Sequence, residues 1–182
     1  MEKMAEFYIG LQEIQQAEKY LDMILAKQAG SPTARMMKGE IAVLRENYTD
    51  ALRIFDELIK ENPRSESAHY FKGVAHFKKG QARLAQNALQ KAVELRQDFI
   101  KARLVLATIY LQERSFDLAQ LECDNILSKD PDNFRAKLLS GNILAGQGKL
   151  DDAARLYTSL IENYPDAPEV YYRLGQLQQV RK

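Results

Sequence analysis

The sequence predicts an all-α fold, an α-solenoid of antiparallel helix pairs, and three observations carry that expectation. Ala17, Ala51, Ala85, Ala119 and Ala153 stand 34 residues apart along the 182-residue chain. Ala5, Gly39, Gly73, Ala107, Gly141 and Gly175 form a second comb with the same step. "KENPRS", "SKDPDN" and "ENYPDA" place proline at one recurring point of that period. A fixed period of roughly 20–50 residues marks a repeat architecture, in which one unit cannot bury its apolar face without its neighbours.

With Pro32 as position 1, four complete units run 32–65, 66–99, 100–133 and 134–167. A partial unit, 1–31, precedes them and a half unit, 168–182, follows, so one array is expected over 1–182. Positions 1–13 are expected to form a first helix and positions 18–30 a second. Position 8 then lies on the first helix and position 20 on the second, where the two cross. Small residues there let the backbones approach, while Tyr48, Phe55, Leu89, Tyr110, Phe116, Leu150 and Tyr157 interdigitate around the crossing. Position 15, between the helices, is Gly80 and Gly148 in two units, suited to a left-handed turn. In two others it is Glu46 and Arg114, where a left-handed backbone would cost about 1–2 kcal/mol each, so Asn47 or Ser115 is expected to take up the bend. Proline at position 32 ends the second helix, and Gln97 must turn without it.

Small residues at positions 8 and 20, aromatics at 11, 17 and 24, and proline at 32 resemble the tetratricopeptide repeat (TPR) family over essentially the whole chain. The resemblance implies a right-handed superhelix whose concave groove holds a partner protein or peptide. On the helical wheel, positions 4, 8 and 11 share the face that packs on the second helix, and positions 2, 6, 9 and 13, flanked by 5 and 12, lie opposite. The expected groove residues are Met36, Met37, Glu40, Tyr70, Phe71, Val74 and Phe77 at an apolar, aromatic end. Lys101, Leu104, Thr108, Gln112, Arg135 and Asn142 follow at a more basic and polar end. Such a wall suits a peptide with apolar anchors and an acidic end. The competing reading packs positions 5 and 6 against neighbouring first helices; Glu40, Lys101, Thr108 and Arg135 are expected to face open space. Position 4, often tryptophan in the family, reads Arg35, His69, Arg103, Lys137 and Tyr171. The paired Lys-x3-Asn and Lys-x3-Arg of co-chaperone members is absent: Met36 precedes Glu40, and Val105 follows Lys101. Residues 102–157 resemble bacterial cell-envelope TPR proteins of the secretion and exopolysaccharide-export type, which implies a place in a larger bacterial assembly or export system.

The remaining features argue for a non-catalytic scaffold without metal or cofactor. Hydrophobic content of 46% and charged content of 28% fit a globular domain, and the net charge of +1 lacks the basic excess of a nucleic-acid surface. No run of about 18 apolar residues predicts membrane insertion. The opening "MEKMAEFYIG" is acidic and amphipathic, so any targeting segment is expected outside this chain, and both the bacterial envelope or periplasm and the cytoplasm stay open. His69 and His76 are two turns apart, about 10.5 Å of rise, and a packing role outweighs a metal pair. Cys123, the one cysteine, takes the packing slot at position 24. Lys72, Lys78, Lys79 and Arg83 surround a turn without a glycine-rich phosphate loop and read as a solvated tip. The half unit leaves Val170, Tyr171, Leu174 and Leu177 without a second helix, softened by glutamines and the terminal Arg-Lys. A longer array, or a homo-oligomer through that helix, is therefore expected. The alternative to a groove ligand is a structural spacer or oligomerisation segment.

Overall fold

The computed structural model describes residues 1–180, and every regular element among them is a helix. The terminal Arg181 and Lys182, expected to polarise the last helix, lie outside the described residues. The chain divides into two compact units, Met1–Gln97 and the residues from Asp98 onward. The first holds α1 (Glu2–Gly10), α2 (Ile14–Lys27), α3 (Pro32–Leu44), α4 (Tyr48–Glu61), α5 (Glu66–Lys78) and α6 (Ala82–Leu95). The second holds α7 (Ile100–Gln112), α8 (Phe116–Leu127), α9 (Phe134–Gly146), α10 (Leu150–Asn163) and α11 (Pro168–Val180). In each unit the helices form tandem antiparallel pairs. A first helix packs on its own second helix, on the next first helix and on the second helix before it.

Local chemistry sets the boundaries. Ser31, Ser65 and Asn133 cap α3, α5 and α9 by accepting from the amides of Ala34, Ala68 and Ala136 at 3.3, 3.2 and 3.0 Å. Pro32 and Pro168 open their helices where a missing N–H costs nothing. From α3 onward the first helices begin at residues 32, 66, 100, 134 and 168, in steps of 34. The second helix α8 stops at Leu127, two residues short of its expected end. The Ser128 hydroxyl donates to Asn125 O at 2.9 Å and the Asn125 amide to Leu121 O at 2.8 Å, side-chain bonds that compete with continuation of the helix.

The turn inside each pair corrects one expectation. Glu46 and Arg114 are themselves left-handed, with φ of 60° and 59°, as is Gln12 at 60°; Gly80 and Gly148 have φ of 76° and 78°. Asn47 and Ser115 keep φ of −82° and serve as the next helix's N-cap residues. The reason is a shared backbone hydrogen-bond pattern. Asn47 N–H donates to Ala42 O, Gln81 to His76 O, Ser115 to Tyr110 O and Lys149 to Leu144 O, at 2.8–3.0 Å. This closing bond of the Schellman motif satisfies orphan carbonyls and needs the preceding residue left-handed. The backbone geometry prevails over side-chain preference, at about 1–2 kcal/mol for each non-glycine residue.

The packing face follows the two combs. Ala17, Ala51, Ala85, Ala119 and Ala153 have no exposed surface, nor do Ala5 and Ala107. The glycines of position 8 receive the position-24 side chain of their own second helix. A Cβ built on Gly39 would lie 2.5 Å from Phe55 Cε1, one on Gly73 2.6 Å from Leu89 Cγ, and one on Gly141 2.5 Å from Tyr157 Cε1. Where position 8 is Ala107, its partner position holds the small Cys123, and both are fully buried. Gly146 plays a similar part against the preceding second helix, its Cβ position falling 2.7 Å from Phe116 Cε1 on α8. On α11, Gly175 has nothing within 4 Å of that position.

In the complete units, position 4 holds Arg35, His69, Arg103 and Lys137, each tied to the second helix or the adjoining loop. Arg35 donates to Glu61 at 2.6 Å and to Glu57 at 3.1 Å on α4. Arg103 pairs with Glu122 on α8 at 2.6 Å, with both side chains only 13–14% exposed. Lys137 reaches Asp132 at 2.9 Å, and His69 Nε2 lies 3.1 Å from Pro63 O. His76, the other histidine, is buried with Nδ1 2.8 Å from Gln81 Oε1.

Substitution at the combs separates these effects. Gly141→Ala is expected to destabilise by about 1–3 kcal/mol through overpacking on Tyr157. Gly175→Ala should stabilise by up to about 1 kcal/mol, because it gains helix propensity in open space. Glu46→Gly should stabilise by about 0.5–1 kcal/mol, the relieved strain exceeding glycine's entropic cost. Urea midpoints of the three variants give the signs. A second expectation concerns alkali. Burial pushes the Cys123 thiol up to about 11 and the Tyr157 phenol up to about 12. Both stay protonated in the fold after the unfolded chain has begun to ionise, at about 8.5 and about 10. Above about pH 9 the unfolded state therefore binds fewer protons, and stability falls as pH rises toward about 12. Cys123 alone accounts for about 1–2 kcal/mol by about pH 10. Urea midpoints measured against pH should decline there, and Cys123→Ala should lack the earliest part of the decline.

Candidate functional site

The expected groove residues of the first unit lie on α3 and α5. Met36 and Met37 are half-buried, Met36 against the cluster around Ala51, Phe55 and Leu58, and Met37 against that around Leu21, Ile24 and Ile41. Phe71 stacks on Phe55 with ring centroids 5.7 Å apart, and Tyr70 meets Phe71 edge-on at 5.0 Å. Phe71 thus divides its ring between α4 and the surface. Val74, Phe77 and Glu40 are half-buried. Of the basic residues near this face, Lys72 pairs with Asp56 at 2.6 Å, and Lys78, Lys79 and Arg83 are exposed around the turn.

In the second unit, Lys101, Gln112 and Arg135 are exposed, and Leu104, Thr108 and Asn142 are half-buried. Open presentation thus describes Lys101 and Arg135, whereas Glu40 and Thr108 are partly covered. The Thr108 hydroxyl donates to Leu104 O of its own helix at 2.8 Å, a bond that uses its proton locally. Asn142 is drawn toward the second helix, where its Oδ1 accepts from the Tyr157 hydroxyl at 2.8 Å.

Asn142 also borders a cleft of about 340 Å³ among α7, α9, α10 and α11. Its apolar wall is Leu111, Ala145, Leu150 and Leu177, and its polar edge is Asn142, Tyr157, Arg173 and Gln176. Arg173 Nη1 donates to Gln176 Oε1 at 3.2 Å, and its guanidinium lies 6.0 Å from the Tyr172 ring centroid. Burial raises the Tyr157 phenol, and the positive charge of Arg173 opposes that rise. Apart from Asn142, these residues were not sequence candidates. Arg173 and Gln176 occupy positions 6 and 9, the groove positions of the complete units, carried one step further into the half unit.

Cys123 is buried on α8, its thiol raised by burial and eased by a hydrogen bond with Ser140. A thiol so far above neutrality holds little thiolate and is a poor nucleophile. Among the described residues, no group of three or more histidine, cysteine, aspartate and glutamate side chains is placed to hold a metal ion. No described helix is long and apolar enough to cross a membrane.

Comparison with known proteins agrees with the helix pairs and their period. The sequence model of the tetratricopeptide repeat family matches residues 3–66, 45–82, 70–134, 104–168 and 138–178. Among curated proteins, DnaJ homolog subfamily C member 3 of Gallus gallus is 30% identical over 115 residues. That match takes in 63% of this chain and only 22% of the relative's length. Among solved structures, YrrB, a TPR protein with an unusual peptide-binding site, is 23% identical with a TM-score of 0.69, over 93% of this chain and 87% of that one. TTC0263, a thermophilic TPR protein of Thermus thermophilus, is 16% identical with a TM-score of 0.80, over 97% and 96%. The all-α solenoid is thus shared with solved structures at low identity, and with the repeat model matched along nearly its whole length, the chain belongs to the tetratricopeptide repeat family.

Proposed function

We propose that this chain is a non-catalytic interaction scaffold that holds a partner protein or peptide on the faces of its first helices, across a single array spanning 1–182. The observation that carries the reading is the apolar surface of α5, where Tyr70, Val74 and Phe77 are half-buried. Exposed Lys101 and Arg135 supply positive charge in the second unit. Partly covered aromatics lose little further entropy on binding and bury large areas, which makes them effective anchors. The likeness to YrrB, itself a TPR protein with an unusual peptide-binding site, supports a peptide as the partner class. The narrower part of the reading places the scaffold in a bacterial envelope assembly or export system, supported by the resemblance of residues 102–157 to proteins of that type.

A second reading, a spacer that self-associates, has its own support. Met4 and Phe7 on α1 and Leu11 at its C-cap are exposed apolar residues, with Phe7 56% exposed. On α11, Tyr171 and Tyr172 are exposed and Gly175 is open.

Screening the full chain against a random peptide library, then titrating the hits by fluorescence polarisation, separates the two. On the scaffold reading, saturable binding weakens about tenfold or more in Tyr70→Ala, an anchor's worth of about 1.4 kcal/mol, without loss of the thermal transition. The spacer reading instead expects no saturable hit, together with a concentration-dependent sedimentation coefficient that Phe7→Glu abolishes.

A further inference from the structure

We propose that the solvent face of α8 is an interface for a second copy of this chain, which seats the solvent face of its own α6 there. The contact uses second helices only, and leaves untouched the first-helix faces assigned to a partner peptide.

Positions 19 and 22 of each unit lie one turn apart on the second helix. On α4 they are Asp50 and Arg53, and on α10 Asp152 and Arg155; each couple forms an ion pair within its own helix. On α2 they are the polar Gln16 and Lys19. On α8 the same positions are Leu118 and Leu121, 48% and 54% exposed. On α6 position 19 is Leu84, 48% exposed, beside the uncharged Asn87 at position 22. A lone exposed leucine is ordinary, but a pair of them standing where α4 and α10 close an ion pair marks an interaction surface.

The charges beside the leucines select the occupant. Asp117 and Asp124 flank the strip on α8, Arg83 and Lys91 flank Leu84 on α6, and all four are exposed. Lys91 also holds Glu94 at 2.9 Å, and Asp124 accepts from the Gln120 amide at 2.7 Å. Arg83 and Asp117 form no ion pair among the described residues. Two α8 strips face to face would set like charges together, which disfavours that pairing. An α6 strip on an α8 strip matches opposite charges. Eight residues separate Arg83 from Lys91 and seven separate Asp117 from Asp124, about 12 Å and about 10.5 Å of helix. Laid antiparallel, one register therefore brings Arg83 toward Asp124 and Lys91 toward Asp117, with Leu84 beside Leu121. One helix on another covers less than the roughly 1,200 Å² of a stable interface, so the association is weak. It joins unlike surfaces, and either closes into a pair when made reciprocally or continues from copy to copy.

The test is sedimentation velocity of the full chain over a concentration series that reaches the millimolar range. The sedimentation coefficient should rise with concentration, and rise less at high salt, where the charges are screened. Leu118→Asp combined with Leu121→Arg installs the ion pair of α4 and α10, and should abolish the rise with the thermal transition retained. Asp124→Lys and Arg83→Glu each put the new charge where the helix dipole favours it, so neither endangers its helix. Either one alone should weaken association by roughly fivefold, and mixing the two variants should restore it. Phe7→Glu on α1 should leave it unaltered. A monomer at every concentration overturns the proposal and leaves the strip to a different protein. A rise that survives replacement of both leucines, or a mixture that associates no better than its components, overturns it as well. The scaffold reading is read separately, by peptide binding in Tyr70→Ala, and stands or falls without this interface.

Discussion

One contact organises the molecule: the approach of position 8 on each first helix to position 24 on the second. The glycines leave no room for a methyl group, because Phe55, Leu89 and Tyr157 already occupy the space a Cβ would need. Protein interiors are packed as densely as organic crystals, so the depth of this interlock fixes how closely the backbones run. That separation in turn buries the alanines of position 20 completely. A larger residue at position 8, Ala107, is matched by a smaller one at position 24, Cys123.

Around this interlock the polar interactions are arranged so that the core does not depend on them. Arg35 and Arg103 bind carboxylates on the second helix. An ion pair at the surface contributes little, but the pair formed by Arg103 and Glu122 is mostly covered and gains from the lower local dielectric. The turns obey the same separation. Their left-handed residue is dictated by the hydrogen bond that closes over it, so glutamate, arginine and glutamine adopt there the conformation of glycine.

These distinctions explain what could be read from the residues alone. The helix pairs were readable because small residues repeat at a fixed step, and close backbone approach has few other causes. The left-handed Glu46 and Arg114 were not, since the constraint lies in carbonyls a turn earlier and leaves no mark on the side chain. The helical wheel places Met36, Met37 and Phe71 opposite the crossing, yet it carries no information about neighbouring helices. Phe71 meets Phe55 only because α5 also packs on the second helix before it. The polar edge of the cleft was hidden for another reason. The direction of the Asn142 amide depends on a hydroxyl fifteen residues away, a relation no local pattern encodes.

The matched pair at positions 8 and 24 also bears on how such an array can be inherited. Each pair lies within a single 34-residue unit, so duplication or exchange of whole units carries both halves together. A recombination breakpoint in the turn between the helices would separate them. Joining α7, with Ala107, to α10, with Tyr157, would bring a methyl group against a ring in a space that now admits only glycine. Breakpoints in the loops between units keep positions 8 and 24 together, although the loop between α8 and α9 also separates Gly146 from Phe116. The short turn that holds Gln12, Glu46, Gly80, Arg114 or Gly148 is thus a place where cutting and rejoining the gene separates each matched pair.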